Sequence, residues 1–225
     1  MKLLDRVRRS QRDGIADRLV WQAASLLLAY PDDQHDARLD TVEELLSHLP
    51  KAAAAEAELL GRTVIALRET DPFIAATRYV DTFDLRRRST MFLTYWTGGD
   101  TRNRGMQMLA FATAYRESGA QPPPGEAPDH LPVVLEFAAT VDPEAGRRLL
   151  IGHWAPINVL LRSLTDAESP YADTIAAVLK TLPAATDAEV RDARQLAESG
   201  PPAEAVGLEP YSTTVPLGMP KVRTQ

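Results

Sequence analysis

The chain has 225 residues, 44% of them hydrophobic, and a formal net charge of −6. That is enough apolar side chain for one packed domain. The absence of cysteine excludes disulfides, thiolate-held iron–sulfur clusters and thiol nucleophiles, and the acidic balance argues against nucleic-acid binding.

The N-terminus, "MKLLDRVRRSQRDG", is basic but has no apolar h-region behind it, so it does not read as a secretory signal. No apolar run reaches the roughly 20 residues that cross a bilayer, and the cytoplasm is the expected compartment. From Ile15 onward Leu19, Ala23, Leu26, Leu27 and Tyr30 recur at helical steps, and Pro31 stops the helix. "TVEELLSHL" places Thr41 three residues before Glu44, the pattern of a capping box. The Ala-rich run from Lys51 carries Leu59, Leu60, Val64 and Leu67 on one side. Asp71-Pro72, Asp142-Pro143 and Ser169-Pro170 each put a capping oxygen before a proline at the first helical position.

After Asp142, helical spacing through Leu150, Trp154, Ile157, Leu161 and Leu164 continues across Pro156. A proline inside a helix clashes with the carbonyl four residues back, so a kink or two helices meeting near His153 is expected. Tyr171, Ile175, Val178, Leu179 and Leu182 form a further stripe. Thr186 and Glu189 suggest a second capping box, and Gly200-Pro201 ends the last helix.

Strand alternation and hairpin turns are missing throughout. The expectation is therefore an all-α domain over residues 1–200, a bundle of about eight or nine helices. A Pro-rich linker, 119–132, divides it into helical groups 15–118 and 129–200. Residues 201–225, with five prolines, read as an extended or disordered tail.

The motifs offer little chemistry. "TGGDTRNRG" (97–105) lacks both the Walker A and the G-x-G-x-x-G pattern. It reads as a Gly98-Gly99 turn with Asp100 or Thr101 capping a helix that runs to Tyr115. Arg6, Arg8, Arg9 and Arg12, and Arg86 to Arg88, are basic clusters of the kind usually found on solvated faces. His35, His48, His130 and His153 have no spacing that would hold zinc on a helix, so no metal or other cofactor is expected. No G-x-S-x-G elbow occurs, and no catalytic residue is assigned.

The densest stretch is 78–119. Tyr79, Phe83, Phe92, Tyr95, Trp96, Phe111 and Tyr115 are half of the chain's fourteen aromatics. They suit a core. Interleaved with Asp81, Asp84, Asp100 and Arg86 to Arg88 they also suit a groove for an amphipathic peptide, with apolar walls and charged rims.

"TFDLRRR", "TYWTGGDTRNRG" and "PDHLPVVLEFAA", in that order, closely resemble the TorD/DmsD/NarJ family of molybdoenzyme chaperones, and within it the branch that serves respiratory nitrate reductase. The match is strongest over residues 78–139, with weaker similarity in "SPYADTIAAVLKTLP" and "VGLEP". The resemblance implies an all-helical, non-enzymatic chaperone. Such proteins bind the apo catalytic subunit of nitrate reductase, chiefly its N-terminal segment. They hold it competent for molybdenum-cofactor insertion before it docks on its membrane partner, and cofactor-delivery proteins are a second class of contact. Carried over motif by motif, the partner-binding residues implied are Tyr79, Phe83, Arg87, Tyr95, Trp96, Asp129, His130 and Leu131. Asp129 is expected to cap the helix entered through Pro132. Two rival readings remain at this stage: a regulatory adaptor for another partner, and a small hydrolase using His130 with Asp129.

Overall fold

The structure, a computed structural model, describes the backbone of residues 2–98 and 102–200, and side chains within 14–98 and 104–200. The arginines before Gly14, the proposed caps Asp100 and Thr101, and the tail from Pro201 lie outside these described residues. Eleven α-helices are present among them: α1 (Lys2–Leu27), α2 (His35–Ser47), α3 (Ala54–Arg68), α4 (Pro72–Tyr79), α5 (Tyr95–Gly98), α6 (Arg102–Glu117), α7 (Leu131–Thr140), α8 (Pro143–Gly152), α9 (Trp154–Asp166), α10 (Tyr171–Lys180) and α11 (Asp187–Ser199). The number exceeds the eight or nine expected because α5 is a single turn and the segment around Pro156 is two helices. The one β-type pairing among the described residues is an isolated antiparallel bridge between Phe92 and His130.

Helix α7 is the axis of the fold. Its sequence, LPVVLEFAAT, buries eight of ten residues, as a helix apolar all round must. It lies against α1 and α8, while α10 packs between α1, α3 and α9. One continuous apolar cluster therefore takes Trp21 and Leu27 from α1, Leu60 and Val64 from α3, Leu135 and Phe137 from α7, and Ile175 and Val178 from α10. Contact between α7 and α8 is close enough that a Cβ on Gly146 would stand 2.3 Å from the Cβ of Ala138.

Local signals hold where the chain has no stronger partner for the capping group. Asp71 accepts from Phe73 N and Ile74 N, and Asp142 from Glu144 N and Ala145 N. Thr186 and Glu189 form the reciprocal box that starts α11. Near Pro156 the chain breaks at His153, which ends α8 and precedes α9. Pro156 thus falls in the first turn of α9, where an N–H would have no helical acceptor.

Three local expectations need correction. Thr41 is interior to α2, which starts at His35, and its hydroxyl donates back to the Ala37 carbonyl at 2.9 Å. Ser169 does not cap α10: its N–H closes the end of α9 on Leu164 O at 2.9 Å, and its hydroxyl has no partner. Of the stripe expected from Ile15 to Tyr30, Ala23 and Leu27 are buried, but Ile15 and Tyr30 are exposed and Leu19 and Leu26 are only partly covered, while Val20, Trp21, Ala24 and Leu28 are buried. The inward stripe is rotated toward Trp21, whose indole N–H reaches Thr181 Oγ1 at 2.8 Å.

Candidate partner-binding site

Residues 91–94, which run into the start of the TYWTGGDTRNRG motif, and residues 129–131, in the PDHLPVVLEFAA motif, are 35 or more residues apart in sequence, and the fold sews them together. Leu93 N donates to Asp129 O at 3.1 Å, and Leu131 N donates to Met91 O at 2.9 Å. Phe92 and His130 face each other across this bridge with ring centroids 5.0 Å apart.

Asp129 sits beneath the bridge and is 0% exposed. Its Oδ2 accepts from Thr94 N at 3.1 Å and from Thr94 Oγ at 2.5 Å, and Arg104 Nη2 lies 3.7 Å away. The other oxygen, Oδ1, has no hydrogen-bond partner. Asp129 is therefore not the helix cap that the sequence suggested. His130 occupies the N-cap position of α7 without a side-chain capping bond, because the aspartate is turned inward to hold Thr94. His130 pairs instead with Glu126, Nδ1 to Oε2 at 3.2 Å. The two side chains of the Asp-His motif thus point to different partners, which removes the dyad on which a hydrolase would depend.

Besides Asp129, the seven other residues expected at the site divide into three environments. Tyr79 and Phe83 are buried and meet Tyr171 edge-to-face, at centroid distances of 6.0 and 5.0 Å. The Tyr79 hydroxyl donates to Leu28 O at 3.0 Å. Leu131 is fully buried in the same main core. His130, with a side chain 18% exposed, lies on the wall of a hollow of about 390 Å³ between the end of α1 and the start of α7. Asp32, Glu126 and Glu136 give that hollow an acidic rim. Burial pushes the His130 imidazole below its usual 6.5, and Glu126 pulls in the opposite direction.

Tyr95 and Arg87 form the next group. Arg87 Nε donates to the Tyr95 hydroxyl at 3.2 Å, and the Arg104 guanidinium stands 5.1 Å from the Phe92 ring centre and 5.7 Å from that of Tyr95. Close approach of α5 to α6 places Arg104 there: a Cβ on Gly98 would lie 2.8 Å from the Arg104 Cα. Trp96 is apart from both groups. It is 1% exposed, yet belongs to a small second cluster with Val159 and Ala193 rather than to the main core. Hollows of about 430 and 600 Å³ both reach its indole.

Sequence reasoning missed Thr94 and Arg104 as residues that organise this region, although both lie inside the quoted motifs, and it placed Phe92 only among the aromatics of the dense stretch. Thr94 gives no sequence signal, since only the fold brings Asp129 to it. His153 was also unassigned. Its ring lies 4.7 Å from that of Phe111, its Nδ1 is 2.8 Å from Leu149 O, and burial lowers its pKa. Among the described residues no group of three or more His, Asp or Glu side chains could hold a metal ion, and no helix is long and apolar enough to cross a membrane.

The family described as "Nitrate reductase delta subunit" matches residues 44–177, a span that contains all three motifs and all eight residues. The chain is 63% identical over 163 residues to the nitrate reductase-like protein NarX of Mycobacterium tuberculosis, a stretch that is 72% of this chain and 24% of that protein. It is 31% identical over 164 residues to the probable nitrate reductase molybdenum cofactor assembly chaperone NarJ of Bacillus subtilis, covering 73% of this chain and 88% of the relative. It is 32% identical over 169 residues to the nitrate reductase molybdenum cofactor assembly chaperone NarJ of Escherichia coli K12, covering 73% and 70%. The chain thus spans only about a quarter of the NarX relative but most of the two NarJ proteins, and it belongs to the nitrate reductase delta subunit family.

Proposed function

We propose that this protein is a system-specific chaperone for the catalytic subunit of respiratory nitrate reductase. It binds the apo form in the cytoplasm, chiefly through an N-terminal segment, and keeps it competent for molybdenum-cofactor insertion and for assembly with its membrane partner. The observation that carries this reading is the alignment with two NarJ proteins, each named a molybdenum cofactor assembly chaperone, over about three quarters of this chain. The geometry supports it. Apolar hollows with charged rims flank the stitched motifs, and such surfaces take the side chains of an amphipathic segment and fix its direction.

The protein's contribution in this reading is binding and release, with no covalent step. Without cysteine it offers no thiolate to a cluster, so the client supplies the ligands for its own metal groups. Arg87, Tyr95, Trp96 and His130 are the residues proposed to meet the client. Asp129, Leu131, Tyr79 and Phe83 hold those residues in place from behind. Isothermal titration calorimetry with the N-terminal peptide of the cognate catalytic subunit tests the reading, with a dissociation constant in the micromolar range or tighter expected. Absence of heat at high peptide concentration, with the protein shown to be folded, overturns it.

A further inference from the structure

Helix α11 is attached to the rest of the molecule differently from every other long helix described. Its packing partner is α9, through the cluster of Trp96, Val159 and Ala193 that stands outside the main core. Ala193 is its single fully buried residue; Leu196 and Ala197 are only partly covered. Among the described residues one hydrogen bond links α11 to another element, from Arg88 Nη1 to Ala197 O at 3.3 Å. The helix is otherwise self-sufficient, capped by its own Thr186–Glu189 box and closed by Gly200 at φ +70°.

The seat beneath α11 is built more generously than α11 fills it. Trp96 forms its floor, with Val159, Ala155 and Trp154 along it. A hollow remains on each side: about 430 Å³ toward Arg86, Arg88 and Arg162, and about 600 Å³ toward Thr97, Gln107 and His153. Both hollows are open to solvent, and the small Ala193 and Ala197 side chains leave room beside Trp96 for bulkier ones. The three arginines of the first hollow face one carboxylate, Asp166. Arg88 reaches the Ala197 carbonyl in the last turn of α11, and Arg86 and Arg162 line the same hollow, at the end where a helix exposes unpaired carbonyls and the negative end of its dipole.

From this we infer that α11 is a displaceable latch over a helix-binding seat, and that the incoming partner is an amphipathic helix that replaces it on Trp96. The incoming helix would present larger apolar side chains than Ala193 and Ala197, filling both hollows. It would run with its C-terminal turn at Arg86, Arg88 and Arg162. A flank facing those arginines would be acidic or neutral, as in α11, whose charged residues are Asp187, Glu189, Asp192 and Glu198 against Arg191 and Arg194. The loop before α11, residues 183–185, contains Pro183 and no helix, so α11 can swing about it while Thr181 stays held by Trp21 and Arg147 and Leu182 stays in the main core. The identity of the incoming helix as the client's N-terminal segment rests on the chaperone reading; the latch itself does not.

Two measurements on the full chain decide it. Hydrogen exchange should show the amides of α11 opening together, about 100-fold or more faster than those of α7 and α10; protection equal to that of the core helices overturns the latch. Because the chain has no cysteine, a Val159→Cys/Ala193→Cys pair gives a clean staple, with crosslinking confirmed by mass. The oxidised form should bind the client peptide at least about tenfold more weakly than the reduced form, because a seat held closed reduces apparent affinity by the fraction that remains open. Ala193→Glu, which unseats α11 without a crosslink, should bind more tightly than the native chain. Equal affinity of stapled and reduced forms, or weaker binding by Ala193→Glu, overturns the proposal. If no form binds the peptide, the chaperone reading fails, and exchange alone then decides the latch.

Discussion

Asp129 offers the sharpest test of how the site is held. Its replacement by alanine leaves the Thr94 N–H and hydroxyl, both now bonded to Oδ2, without an acceptor in a place where Thr94 and Asp129 are 0% exposed. An unsatisfied buried polar group costs about 1–3 kcal/mol, and Arg104, 3.7 Å from Oδ2, also loses an opposite charge. The total expected is about 3–5 kcal/mol, in the range found when one partner of a buried charged pair is removed. In a domain of this size that corresponds to a melting temperature lower by about 6–20 °C.

Asp129→Asn should fall between the native protein and the alanine variant. Its carbonyl can still accept from Thr94, but its amide N–H groups take the place of Oδ1, which has no partner. Thr94→Val, which keeps the backbone donor, should cost about 1 kcal/mol. Urea titration and calorimetry give the stabilities, and peptide titration gives the affinity on the same samples. A melting temperature for Asp129→Ala within error of the native value refutes the reasoning. Unchanged stability with lost binding would make Asp129 a direct ligand group instead of a tie between motifs.

Other consequences follow from the same geometry. Gly146→Ala forces a methyl group to 2.3 Å from the Ala138 Cβ, so α7 and α8 must part. The variant should lose about 1–3 kcal/mol by denaturant titration, despite the better helix propensity of alanine. Arg147 donates to Thr181 O at 2.9 Å, pairs with Asp17 and stands 4.8 Å from the Trp21 ring centre. Arg147→Met, which keeps much of the stem, should lower the melting point and flatten its dependence on salt. Burial lowers the pKa of His35, His130 and His153 from 6.5. The unfolded chain therefore takes up protons first. Their contribution to stability is complete above about pH 6.5 and declines as pH falls toward the lowered folded values, by no more than about 1.4 kcal/mol per unit for each histidine. Melting curves from pH 7.5 to 5.5 check this, and His153→Gln should reduce the slope.

Legibility in the sequence depended on how local each cause is. The Asp142-Pro143 start, the Thr186–Glu189 box and the break before Pro156 each depend on groups within a few residues, and the sequence displays them directly. Thr41 shows the limit of that logic. Its spacing to Glu44 is right, but α2 already begins at His35, because the hydrophobic contacts of Leu39 and Val42 extend the helix past the capping position. Long-range causes were invisible. Nothing around Asp129 announces that its acceptor duties go to Thr94, 35 residues earlier, and a proline-rich approach with an Asp before an apolar helix reads equally well as a cap.

The aromatic cluster of residues 79–115 was the strongest functional signal in the sequence, and the fold separates two kinds of residue within it. Tyr79 and Phe83 pack edge-to-face against Tyr171 inside the main core. Trp96 belongs to the small cluster under α11, with a hollow on either side. Their substitutions should therefore report different quantities. Tyr79→Phe removes one hydrogen bond to Leu28 O and should cost about 1 kcal/mol of stability at unchanged peptide affinity. Trp96→Leu removes the floor of the proposed seat but leaves the main core intact. Its effect should appear as lost affinity and as faster exchange in α11, with little change in exchange in α7. Affinity that follows Tyr79 and ignores Trp96 would move the binding surface to the acidic hollow beside His130, where Tyr79 also forms part of the wall.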